Sequence, residues 1–173
     1  GEISIDFRLG YDFLVSIQGR EAFIDASLNN NEKYPLTSFF QETRRTVGET
    51  FLLHPSQTVL SSSLEYIKLP RNIVMELNVR SSYARLGLNL STIVQPGYTG
   101  CVSIELTNTN KNPINLTVGS TILQGRLFKL NNRLNYFSKD RKYICQVRPV
   151  ISAVNEDSDL KVLNALWKNT HNR

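Results

Sequence analysis

Cysteine and histidine are scarce in this 173-residue sequence, with two of each. Cys101 and Cys145 lack CxxC spacing and allow at most one disulfide, so no disulfide-dense scaffold is built here, and two reduced thiols are expected. His54 stands beside a proline turn and reads as a hydrogen-bonding loop residue, while His171 lies in the tail. No apolar run approaches the ~20 residues that span a bilayer, and the opening residues lack a signal-peptide pattern. The chain is therefore expected to be soluble and cytoplasmic. The sequons at Asn89 and Asn115 would matter only in a secreted protein. Twenty basic residues against 15 acidic give a net charge of +5, but they are spread along the chain and form no polybasic arm. That balance permits an anionic ligand without demanding nucleic acid.

What the sequence does have is a series of short alternating segments. Glu2–Leu9 sets Ile3, Ile5, Phe7 and Leu9 against polar neighbours; Asp12–Gln18 and Glu21–Asp25 continue as strands around a Gly19-Arg20 turn. Residues 26–48 are polar and aperiodic and read as a long loop that could cover a site. Strands are then expected at Thr50–Leu53, Thr58–Leu69, Asn72–Val79, Ile114–Val118 and Thr121–Leu130. Asp157–Lys168 spaces Leu160, Leu163, Leu166 and Trp167 helically, behind acidic starting residues. Its stripe should pack on its own domain or on a neighbouring subunit. These patterns predict one mainly β domain over 1–173, an antiparallel barrel or jelly-roll-like sandwich. Residues 131–173 would form a C-terminal tail carrying the helix.

Chemistry concentrates in Arg80–Glu105. An apolar run ends in Arg80; Ser81 and Ser82 follow, and Arg85 comes five positions after the first arginine. A guanidinium fork, two hydroxyls and the backbone N–H groups of a short helix suit a phosphate. Further on, the alternation of Cys101–Leu106 puts Cys101, Ser103 and Glu105 on one face and Val102, Ile104 and Leu106 on the other. Taken alone, Glu105 is an outward-facing strand carboxylate.

The segments RSSYARLGL, PGYTG and VSIELTN resemble the signature of the dCTP deaminase family in the trimeric dUTPase superfamily. The likeness extends through SIDFRLG, LHPSQTVLSSSLEYIKLP, NPINLTVGSTILQGRLFKL and KYICQVRPVIS. It implies a distorted β-barrel of the dUTPase type, a homotrimer, and active sites between subunits. It also implies hydrolytic deamination of dCTP to dUTP and ammonia, with Glu105 as the catalytic acid/base and Ser81 and Arg85 around the water. Triphosphate contacts are implied for Arg80, Ser82, Tyr136, Lys142 and Gln146, and substrate contacts for Gln95 and Tyr98 at the Pro-Gly turn. Zinc deaminases carry H-x-E and P-C-x-x-C. Neither motif occurs here, so the expected chemistry uses a carboxylate, with no zinc and with Mg2+ carried on the nucleotide phosphates.

Several positions depart from the family pattern. Members usually carry a helical segment before the SIDxRLG strand, and this sequence starts almost on that strand. Asn89–Gln95 is shorter than the usual pyrimidine-gripping hairpin, Gln95 replaces an aspartate, and Val79 replaces a glycine. In the tail, Cys145, Arg148 and Ala153 stand where small, glycine and arginine residues are usual. Two alternatives therefore accompany deamination: a nucleotide-binding or regulatory relative with impaired catalysis, and a dUTP diphosphatase.

Overall fold

The computed structural model describes residues 4–18, 23–27, 35–133, 143 and 145–171, except for the side chains of residues 155 and 171. Eleven strands are assigned among them: β1 Ser4–Arg8, β2 Asp12–Ser16, β3 Phe40–Arg44, β4 Thr50–Leu53, β5 Thr58–Lys68, β6 Ile73–Val79, β7 Leu88–Asn89, β8 Ser91–Val94, β9 Thr99–Asn108, β10 Ile114–Thr117 and β11 Thr121–Lys129. A single helical turn, α1 (Ser81–Ala84), separates β6 from β7, and α2 (Ser158–His171) closes the chain. The fold is mainly β, and every strand pairing is antiparallel.

The strands form three sheets, ordered β1-β11-β6-β8, β10-β4 and β3-β2-β5-β9-β7. This corrects the closed barrel of the sequence expectation: the described sheets face one another across a common core and do not join into a continuous ladder. Phe7, Leu9, Phe13, Leu53, Met75, Leu77, Ile104, Leu106 and Ile122 are fully buried there. Phe13 of β2 stacks on Phe51 of β4, with centroids 4.4 Å apart. Such interdigitation of inward residues from separate sheets is the ordinary solution for a half-apolar strand.

Two further expectations fail for one reason. The region 26–48 is no uninterrupted loop: Leu36–Phe39 forms a 3-10 turn and β3 pairs with β2 from Asp12↔Arg44 to Ser16↔Phe40. An edge strand needs one hydrogen-bonded partner and no buried face, and polar Gln41, Glu42 and Arg44 suit such an edge. Its backbone pairing leaves no hydrophobic period to detect. Conversely, the described part of the Glu21–Asp25 strand, Phe23–Asp25, is irregular, and Phe23 and Ile24 are exposed. Side-chain alternation over so few residues does not make a strand by itself, and an exposed backbone can hydrogen-bond to water in place of a ladder.

The SIDFRLG segment ends where sterics are severe. The Gly10 amide donates to the Ser62 carbonyl at 2.8 Å, and a Cβ on Gly10 would lie 2.2 Å from that oxygen. Because the obstacle is backbone in a paired strand, it cannot rotate away. Gly10→Ala is expected to destabilise by about 1–3 kcal/mol, lowering Tm by about 2–4 °C per kcal/mol for a chain of this size. Thermal unfolding checks this; an unchanged Tm would show that the β1–β2 corner relaxes freely.

Candidate active site

The ladder between β5 and β9 positions the central carboxylate. Leu60 pairs with Glu105 and Ser62 with Ser103, and the register then shifts between Ser62 and Tyr66. At this bulge the Ser63 hydroxyl accepts from the Val102 amide and donates to the Glu65 carbonyl, each at 2.8 Å, replacing interrupted ladder bonds. Along β9 the expected alternation holds: Val102, Ile104 and Leu106 are buried, Ser103 is half-buried and Glu105 is exposed. Cys101 is buried on the Glu105 face, and burial, with the negative charge of Glu65 second, raises its thiol pKa.

Glu105 lines a cleft of ≈ 640 Å³, a size suited to a small-molecule ligand. Its floor includes Leu60 and Val102, one wall is β8 with Thr92 to Val94, and another is the tail with Tyr143, Gln146 and Val150. The Ser103 hydroxyl donates to Glu105 Oε1 at 2.9 Å, which holds one carboxylate oxygen. Ser103, Leu60, Thr92 and Tyr143 were not singled out from sequence. Only Ser103 left a signal there, its i, i+2 spacing from Glu105 on one strand.

The PGYTG segment turns the chain into this cleft. Tyr98 N–H donates to the Gln95 carbonyl at 3.1 Å, with Pro96 and Gly97 between them and Gly97 at φ 80°. Proline first and a left-handed glycine second make a type II turn. Gly100, at φ 147°, leaves room for the tail: a Cβ there would sit 3.0 Å from both the Gln146 carbonyl and the Tyr98 hydroxyl. Gln95 and Tyr98 both line the cleft. The Tyr98 hydroxyl donates to the Cys101 carbonyl, which ties the turn to β9. Gln146 is buried, and its carbonyl accepts from the Cys101 amide at 2.7 Å.

The arginine-serine corner lies apart from the cleft. Arg80, Ser81, Ser82 and Arg85 are all exposed, and none lines the cleft. Arg80 approaches Asp6 at 3.8 Å and donates to the Thr121 carbonyl at 3.5 Å, long contacts of an exposed group that offer little stabilisation. Among the described residues no hydrogen bond or ion pair joins Glu105 to Ser81 or Arg85. Within one chain the cleft and the arginine-serine corner are therefore separate surfaces. Tyr136 and Lys142, the other expected phosphate contacts, lie outside the described residues.

Antiparallel sheets in this order, with a carboxylate-lined cleft and a separate RSSxxR corner, define a mainly β protein with a cleft for a small ligand. The chain belongs to the dCTP deaminase-like family, whose model matches residues 1–130. It is 34% identical over 165 residues to the dUMP-forming dCTP deaminase of Dictyoglomus turgidum, covering 91% of this chain and 82% of that protein. It is 36% identical over 166 residues to the dCTP deaminase of Haemophilus influenzae strain PittEE, covering 90% and 84%. Among solved structures it is similar to the 2'-deoxycytidine 5'-triphosphate deaminase of Agrobacterium tumefaciens, with a TM-score of 0.54 and 20% identity. That match covers 73% of this chain and 39% of the other.

Proposed function

We propose that this protein deaminates dCTP to dUTP and ammonia, and that it works as a homotrimer whose sites are shared between neighbouring copies. The observation that carries the reading is the division of the site: Glu105 in its cleft and the Arg80–Arg85 corner are separate, exposed and unlinked within one chain. A shared site is completed when a second copy brings its corner to the cleft, and symmetric closure then repeats it.

In the completed site Glu105 takes a proton from water as that water adds to C4 of the cytosine. The carboxyl passes that proton to N3, then takes the hydroxyl proton of the tetrahedral adduct and gives it to the amino nitrogen; the C4–N bond breaks, ammonia leaves, C4 becomes a carbonyl and Glu105 is again ionised. Ser103 holds one Glu105 oxygen, so proton traffic uses the other. Ser81 and Arg85 from the neighbouring copy orient the water and spread the developing charge. Arg80, Ser82, Lys142, Tyr136 and Gln146 take the triphosphate. Among the described residues no three His, Cys, Asp or Glu side chains converge to hold an ion. Mg2+ in this reading travels with the phosphates and neutralises part of their charge. No helix among the described residues is long and apolar enough to cross a membrane, and the cytoplasmic nucleotide pool supplies the substrate.

Relatives are named for two outcomes, dCTP deaminase and dCTP deaminase, dUMP-forming. The side chain at position 95 favours dUTP as the end product. Gln95 lines the cleft at the position where the resemblance places an aspartate, and an amide cannot accept the proton of a water attacking a phosphate. Incubation with dCTP and Mg2+ should release ammonia and accumulate dUTP without pyrophosphate, read by chromatography and a pyrophosphate assay. Stoichiometric dUMP and pyrophosphate would overturn the product assignment. Nucleotide binding with no ammonia at all would favour the binding-only alternative.

A further inference from the structure

We infer that Arg148 is a positioning residue, which latches the tail wall of the cleft to the β2 strand before any nucleotide arrives. Two attachments of the tail to the sheet are seen among the described residues. The first is backbone: Cys145 N–H donates to the Thr99 carbonyl at 3.1 Å, and the Gln146 carbonyl accepts from the Cys101 amide at 2.7 Å. Cys145 adopts a left-handed conformation, φ 53°, which turns the chain so that both bonds form; a non-glycine residue holds that conformation only when its surroundings impose it.

The second attachment is ionic. Arg148 Nε lies 3.5 Å from Asp12 Oδ2, and the Asp12 side chain is only 8% exposed. Arg44 of β3 approaches the other oxygen, also at 3.5 Å, and its guanidinium stacks over Tyr11, 4.6 Å from the ring centroid. A buried carboxylate requires cationic partners, and one of these two is supplied by a segment 136 positions further along the chain. Residue 148 stands between Gln146 and Val150, both of which line the cleft. Fixing its guanidinium on Asp12 therefore fixes where those two side chains stand. Arg148 also occupies a position where the resemblance leads one to expect glycine, so the freedom a glycine would give the tail is replaced here by a charge contact. Holding the wall in place beforehand removes an ordering cost from ligand binding.

Hydrogen exchange on the nucleotide-free protein tests the latch directly, because the Cys145 and Cys101 amides report the tail attachment. Arg148→Ala should speed exchange at both by about fivefold, the yield of one good ion pair, while Arg148→Lys, which keeps the charge, should restore most of the protection. Arg44→Ala removes the other partner of Asp12 without touching the tail and should leave these two amides unchanged. The kinetic counterpart, which rests on the deaminase reading, is a rise of about fivefold in KM for dCTP in Arg148→Ala, with kcat within about twofold. Unchanged exchange in Arg148→Ala, or equal loss in Arg44→Ala, overturns the latch whether or not the enzyme turns over. Absence of turnover in the unaltered protein overturns the deaminase reading and leaves the exchange result to decide the latch.

Discussion

Glu105→Gln is expected to lower the rate of ammonia release from dCTP by about 10²- to 10⁴-fold, the contribution of a positioned acid/base, while dCTP binding stays within severalfold of the unaltered protein. The split follows from the geometry. Glu105 occupies the cleft, whereas the arginines and serines suited to a triphosphate stand on a different part of the surface. Glutamine keeps the shape of the side chain and can still accept the Ser103 hydrogen bond, but it cannot carry the proton from water to the departing nitrogen. Ammonia release under single-turnover conditions, alongside titration calorimetry with dCTP, separates the two quantities. A variant within tenfold of the parent rate would remove Glu105 from the chemistry; a variant that also fails to bind would mean the carboxylate serves the fold or the ligand pose.

Subunit mixing should give the second large effect. Ser81→Ala and Glu105→Gln are each expected to be nearly inactive, because each empties one half of every site. If sites are shared between copies, co-refolded mixtures contain sites with an intact Glu105 from one variant and an intact corner from the other. Random assembly of equal amounts restores roughly a quarter of the sites, a gain of one or more orders of magnitude over either variant alone. If each chain built its own site, every mixed site would still lack one half and activity would stay at the floor. Ser81 and Glu105 are both exposed in the single chain, so neither substitution opens a cavity or strands a buried group, and loss of folding is not the expected cause of inactivity.

The face of Glu105 was legible from the order of residues, because a strand's side chains alternate and Val102, Ile104 and Leu106 left no doubt which side was dry. The turn before it was also legible, since Pro96-Gly97 specifies its own backbone angles. So was α2, through the spacing of Leu160, Leu163, Leu166 and Trp167, yet its packing was not: the last three are more than half exposed in the single chain. The β3 strand escaped because an edge strand is held by backbone bonds, which have no side-chain pattern.

The sequence alone determined that the chain is mainly β, which residues of each strong strand turn inward, and which residue types could manage a phosphate and a proton. These are local consequences of side-chain period and turn chemistry, both of which operate within about ten residues. Tertiary structure decided everything that depends on which distant segments meet: three sheets in place of a closed barrel, the tail drawn across the cleft, Arg148 set on Asp12, and the carboxylate separated from the arginine-serine corner. Those outcomes depend on strand order and register, which arise when many apolar faces compete for one core, and no single segment carries the result of that competition.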